Sequence, residues 1–223
     1  MKHLPTLLIA ASLPFAIPSA AHAQSADLLV TGSIVPAAAC NVSLGGGPLD
    51  LGTITREMLN PDPSRPTSLE ERTLKTLVDC ASPARFAFVI REARGGDPAM
   101  PEVFKMYGQD GVSNPARLFL LFDAQSTMID GVQGYATGSN QGTTDLANAT
   151  WGPATPFEEN LPITNGRYAV GFVRNAGSTD APGTIRNLRV DLLVRPEINP
   201  VNELDLSREI AFGSDIGMEI SYF

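Results

Sequence analysis

Apolar and polar side chains alternate most regularly at the end of the chain. Counting by twos from Ile210 gives Ile210, Phe212, Ser214, Ile216, Met218, Ile220 and Tyr222, all apolar but one, while the intervening positions read Ala211, Gly213, Asp215, Gly217, Glu219 and Ser221. A period of two over this length predicts a half-buried β-strand. Such a strand either closes a sandwich or borders a groove that another chain fills. The same period recurs in "DLLVTGSIV", "PLDLGTI", "RTLKTLVDC", "ARFAFVIRE", "RLFLLFD", "RYAVGFVR" and "NLRVDLLVR", which predicts eight strands in all. In the last of these, Leu188, Val190, Leu192 and Val194 share a core face and Arg189, Asp191 and Arg195 a wet one. No segment sustains a helical period. "SLEERTLKTL" comes nearest, with Ser68 as a cap and Glu71 three residues on, and reads as a short helical turn leading into a strand.

Strands without long crossover helices pair antiparallel, so the expected fold class is all-β, an antiparallel β-sandwich. Two stretches rich in Gly, Pro, Asn and Thr, residues 95–117 and 134–163, read as long surface loops inserted in one domain. The lone Trp151 in the second is expected to anchor its own loop.

The first residues bear on compartment. Lys2 is the only charge before Asp27, an apolar run follows, and "AHA" supplies the small residues of a signal-peptide cleavage site between Ala23 and Gln24. Pro5, Pro14 and Pro18 interrupt the run, which argues against a retained membrane anchor and direct membrane insertion. Both histidines, His3 and His22, lie in residues 1–23, so the expected mature chain has none. That excludes Ser-His-Asp and Cys-His nucleophile systems and His-ligated metals. Glu158, Glu159, Asp205 and Glu209 offer carboxylates only, of which a glycosidase-like pair is the one enzymatic arrangement left. They read as solvated turn residues, so no catalytic residue, metal site or cofactor is expected. Loss of Lys2, the only charge in the leader, takes the formal charge from −8 to −9. An acidic chain without a basic patch has no footprint for nucleic acid. Cys40 and Cys80, in a chain sent to an oxidising compartment, are expected to form one disulfide rather than remain a free thiol pair.

The new N-terminus alternates as well: in "ADLLVTGSIVPAAAC", Leu28, Val30, Gly32 and Ile34 share a face, and a mid-strand glycine weakens a strand unless something approaches it closely. This stretch resembles the N-terminal extension of chaperone–usher pilus subunits. "LDLGTI" after the first cysteine, a second cysteine closing "LKTLVDC", and the penultimate tyrosine of "MEISYF" are similar to the same family. "INPVNELDLSREIAFGSDIGMEISYF" looks closer still to a bacterial fimbria-like secreted family of unassigned function.

The resemblance implies an incomplete immunoglobulin-like, pilin-type sandwich over 37–223, whose missing strand is donated by a neighbour through β-augmentation. It implies a signal peptide at 1–23 and a donor extension at 24–36 with Leu28, Val30, Gly32 and Ile34 as donor face. Ile210, Phe212, Ile216, Met218, Ile220 and Tyr222 would line the acceptor groove, and the carboxylate of Phe223 would be held by a periplasmic chaperone. The implied partners are further copies or other pilus subunits, the chaperone and an outer-membrane usher. The implied destination is a cell-surface fimbria of a Gram-negative bacterium, where the subunit supports adhesion. The competing expectation is a self-complemented secreted β-sandwich that binds glycans or surfaces through its long loops.

Overall fold

The computed structural model describes residues 39–45, 48–140, 142, 144–156 and 159–223. The leader and the 24–36 extension, with Leu28, Val30, Gly32 and Ile34, lie outside them. The described chain is all-β and its strands pair antiparallel. The strands are β1 (Cys40–Leu44), β2 (Thr67–Ser68), β3 (Arg72–Ala84), β4 (Phe86–Glu92), β5 (Phe104–Gly108), β6 (Ala116–Phe122) and β7 (Met128–Ile129). Then come β8 (Val132–Gln133), β9 (Tyr135–Gly138), β10 (Leu161–Pro162), β11 (Val170–Val173), β12 (Ile185–Ile198), β13 (Phe212–Gly213) and β14 (Ile216–Tyr222). One sheet runs β1-β3-β12-β6-β5-β13, with β2, β7, β8 and β10 attached beside this path, and the other runs β14-β4-β11-β9.

One bend couples the two sheets. Only Arg85 separates β3 from β4, so a single extended run leaves the first sheet and becomes an inner strand of the second. The core between them is aromatic: Phe86, Phe88 and Phe172 of the second sheet meet Phe122 of the first, with neighbouring ring centroids 5.4–6.0 Å apart. All four rings are fully buried. A third layer covers the outer face of the second sheet. Leu146 and Trp151, both buried, lie on Ala87, Val89 and Ala169, and Trp151 anchors its loop as expected. That layer sets the residue beneath it: a Cβ at Gly171 would collide with Pro182 and the Trp151 ring.

Several sequence expectations need correction. "PLDLGTI" forms no strand, because Gly52 takes φ +69° in a turn where Asp50 Oδ1 accepts from the Gly52 N–H at 2.8 Å. Residues 68–71 form no helical turn, since the sheet uses their main chain: β2 pairs with β12 and Leu69 N–H donates to the Pro196 carbonyl. Residues 95–117 contain β5, whose Phe104 and Met106 are buried, and the start of β6. The C-terminal alternation is two strands: Phe212 pairs with Gly108 of β5, and after Ser214 and Asp215 the chain joins β4. A strand that crosses between sheets around one core keeps its apolar face inward, so the period is unbroken where the partner changes.

The Cys40–Cys80 disulfide is formed and ties β1 to β3. Asp130 secures the opposite side. With φ +49° at Asp130 and +80° at Gly131, these two residues make the β7–β8 hairpin turn. The Asp130 carboxylate accepts from the N–H groups of Arg186 and Asn187, at the register shift in β12, and from Arg174 Nη2 at 2.6 Å. Burial pushes its pKa up, but the Asn187 N–H, the Arg174 side chain and the Arg186 N–H outweigh this, and the net shift is downward. A lowered folded-state pKa stabilises above the unfolded value and is lost as pH falls through the folded one. Replacing Asp130 with Asn is therefore expected to destabilise at pH 7, by about 1–3 kcal/mol in urea titrations. The difference from the parent should shrink as pH falls below the ordinary carboxylate range and the Asp130 carboxylate is protonated. Replacing both cysteines with serine is expected to cost about 4 kcal/mol by the same measurement, the loop-closure term for a bridge spanning 40 residues.

Candidate functional site: a cleft between two strand edges

Strand edges present main-chain groups that need partners, and alternation fixes which ones. In β14 the Phe223 N–H donates to Arg85 O and the Asp215 carbonyl accepts from Ala93 N–H, so odd-numbered residues bond β4. Ile216, Met218, Ile220 and Tyr222 therefore turn their N–H and C=O groups to the other side. Among the described residues no strand pairs there. In β1 the Gly45 N–H donates to Lys75 O and the Ala39 carbonyl accepts from Ala81 N–H, so Cys40, Val42 and Leu44 face away from β3 in the same sense. β1 too has one strand partner among the described residues.

The side chains of these residues point into the sandwich. Directly opposed residues in an antiparallel pair share a face, and the registers oppose Val42 to Val78, Leu44 to Thr76, Met218 to Ile90, Ile220 to Phe88 and Tyr222 to Phe86. In each pair the inner-strand member is at most 2% exposed, whereas Val42, Leu44 and Tyr222 are 39, 46 and 40% exposed. Met218, Ile220 and Ile216 are half-buried. Both edges thus turn an apolar, inward-pointing row toward space that the described chain leaves uncovered, and Leu49, Leu51 and Ile54 lie half-buried against the same core.

Each end of the row is defined. At one end the Cys40 N–H donates to Tyr222 Oη at 2.9 Å, so the tyrosine side chain bridges the two sheets beside the disulfide. At the other, Ile216 is opposed to the buried Glu92. The Glu92 carboxylate accepts from Lys105 N–H at 2.7 Å and from Tyr107 Oη at 3.2 Å. Arg94 lies over the Tyr107 ring, and burial, with the Glu92 carboxylate beside it, raises the Tyr107 pKa. A cavity of about 280 Å³ opens here between Glu92, Tyr107 and Asp215. The row is apolar in the middle, closed by a tyrosine at one end and polar at the other.

Of the residues the sequence nominates, Ile216, Met218, Ile220 and Tyr222 stand together on this edge. Phe212 is half-buried on β13 beside β5, and Ile210 precedes that strand. Phe223 turns away from the cleft: its ring stacks on Trp151 at 5.7 Å, with the Arg85 guanidinium 4.9 Å from its centroid. The second wall, Val42 and Leu44, was missed, although "CNVSL" carries the period of two. Asp205 sits in an exposed turn, where the Ser207 hydroxyl and N–H lower its pKa, and Glu209 is exposed nearby. Glu158 lies outside the described residues. Among the described residues no group of three His, Cys, Asp or Glu side chains is arranged to hold a metal ion.

The stacking of Phe223 on the only tryptophan gives a direct optical test. Deleting Phe223 uncovers one face of a ring that is now 3% exposed. Tryptophan emission is expected to move to longer wavelength while far-ultraviolet circular dichroism stays unchanged. Compared with family models, with curated proteins and with solved structures, the chain matches none of them.

Proposed function

We propose that the chain is a structural subunit of a chaperone–usher fimbria, polymerising by donor-strand complementation and supporting adhesion at the surface of a Gram-negative bacterium. The observation that carries this reading is the apolar edge of β14, with which no strand but β4 pairs among the described residues. In an immunoglobulin sandwich one sheet is ordered A-B-E-D and the other C-F-G. In chain order β1, β3, β4, β6, β12 and β14 fall in the places of A, B, C, D, E and F: β1-β3-β12-β6 supplies the first sheet and β4-β14 the second. The place of G lies beside β14, where the half-exposed Met218 and Ile220 are.

The segment that fits the place is the alternating stretch Leu28, Val30, Gly32 and Ile34. Three buried side chains contribute roughly 1.5–3 kcal/mol each, before the cost of ordering the segment. Antiparallel pairing, the more stable kind, favours a segment from another copy. An antiparallel segment of the same chain would place Ile34 beside Ile216. The five residues 35–39 would then have to return to Cys40, beside Tyr222, along the roughly 20 Å length of β14. At about 3.5 Å per residue they would run fully stretched through the space the segment itself fills. Donation between copies is heterologous and does not close, so it builds a filament. A periplasmic chaperone and an outer-membrane usher are the partners that hold the edge covered before assembly and pass the subunit on.

A self-complemented surface- or glycan-binding module is the second reading. It is favoured by a depression of about 500 Å³ on the first sheet, where Phe119, Leu121 and Pro162 are flanked by Glu71, Arg195 and Glu197. The two readings separate in one assay. Replacing Gly32 with Leu is expected to abolish filaments seen by electron microscopy while leaving a folded, chaperone-bound subunit; filaments of parental length from that variant would sink the fimbrial reading.

A further inference from the structure

We propose that Tyr222 is the end stop of the cleft and sets the register at which residues 28–34 of a second copy enter it. The inference rests on the strand-donation reading above. Tyr222 does two things at once. Its side chain reaches from one sheet to the other at the last inward position of β14, directly opposite Phe86. Its hydroxyl also takes the Cys40 N–H, the first of the three outward donors of β1, ahead of those of Val42 and Leu44. A strand entering the cleft is thus stopped by the ring and finds its first β1 donor occupied. The stop is itself fixed, because Cys40 is covalently bound to Cys80 on β3 and Phe223, the next residue, is stacked between Trp151 and Arg85 on the opposite face.

An end stop is needed because the rest of the cleft discriminates weakly. Ile216, Met218 and Ile220 repeat a similar apolar side chain every second residue, and the incoming Leu28, Val30 and Ile34 do the same. A slip of one residue turns every side chain to the wrong face, whereas a slip of two keeps the apolar face inward and displaces only Gly32 from its place. Tyr222 is the feature of the row that differs in shape, and it removes the two-residue slip. The occupant is a second copy's segment because residues 35–39 of the same chain are too few to return from Ile216 to Cys40, which lies beside Tyr222.

The test uses the full chain, whose described residues include no free cysteine. Met218→Cys is combined in turn with Leu28→Cys, Val30→Cys and Ile34→Cys, and disulfide-linked dimers are read on non-reducing gels with linkage sites assigned by mass spectrometry. With Tyr222 present, one donor position is expected to dominate, and Tyr222→Phe, which keeps the ring, should preserve that choice. Tyr222→Ala is expected to shift the dominant position by two residues or divide the yield between two positions. The same single position in Tyr222→Ala would overturn the end-stop role and leave the subunit reading intact. No dimer cross-link at any donor position would overturn both.

Discussion

Two strand edges meet where Tyr222 accepts from Cys40 N–H, each with an apolar row incompletely covered, and much of the molecule's construction follows from that. β14 and β1 point every inward side chain at a core whose next layer is absent among the described residues. Each inner partner, from Phe88 to Val78, is buried while the edge residue opposite is not. Exposed apolar edges with unpaired main chain are what folded proteins ordinarily avoid. Here the edge is held in place by its surroundings. The disulfide fixes β1, Phe86 and Phe88 seat β4 against Phe122 and Phe172 in the core, and Leu146 and Trp151 cover the outer face of the second sheet.

This division of labour explains the position of the most regular alternation in the chain. A terminal strand normally frays. β14 is held extended by its ladder to β4, by Phe223 on Trp151 and by the Tyr222 contact to Cys40, and no other strand pairs with it among the described residues. A preformed edge lowers the ordering cost of strand addition, leaving the entering segment as the principal part to be immobilised.

The sequence made the strand class legible because its signal is local. β3, β6, β12 and β14 alternate over many residues, and the patterns of Leu188 to Val194 and Ile216 to Ile220 follow the observed burial. It was misleading where a single dihedral or a partner strand decided the outcome. Gly52 bends "PLDLGTI" out of a sheet, and the switch after Phe212 leaves the alternation untouched. The site was half legible for the same reason. One wall was readable as a long run, whereas Val42 and Leu44 make only two turns of the pattern, and their role depends on a register with β3 that no local pattern encodes. Glu92, buried with Tyr107 at the polar end of the row, reads in sequence as an ordinary surface charge.

In the strand-donation reading proposed above, the β14 edge accepts a strand supplied by the 24–36 segment. The most direct measurement is amide hydrogen exchange on a chain beginning at Ala37, with and without a synthetic peptide spanning Gln24 to Pro36. The account predicts that the amides of Met218 and Ile220, which face the open edge, exchange freely alone and become protected with peptide, with a rise in melting temperature. Amides already protected without peptide, or unchanged by it, would contradict the account and mean that the sandwich is complete without a donated strand.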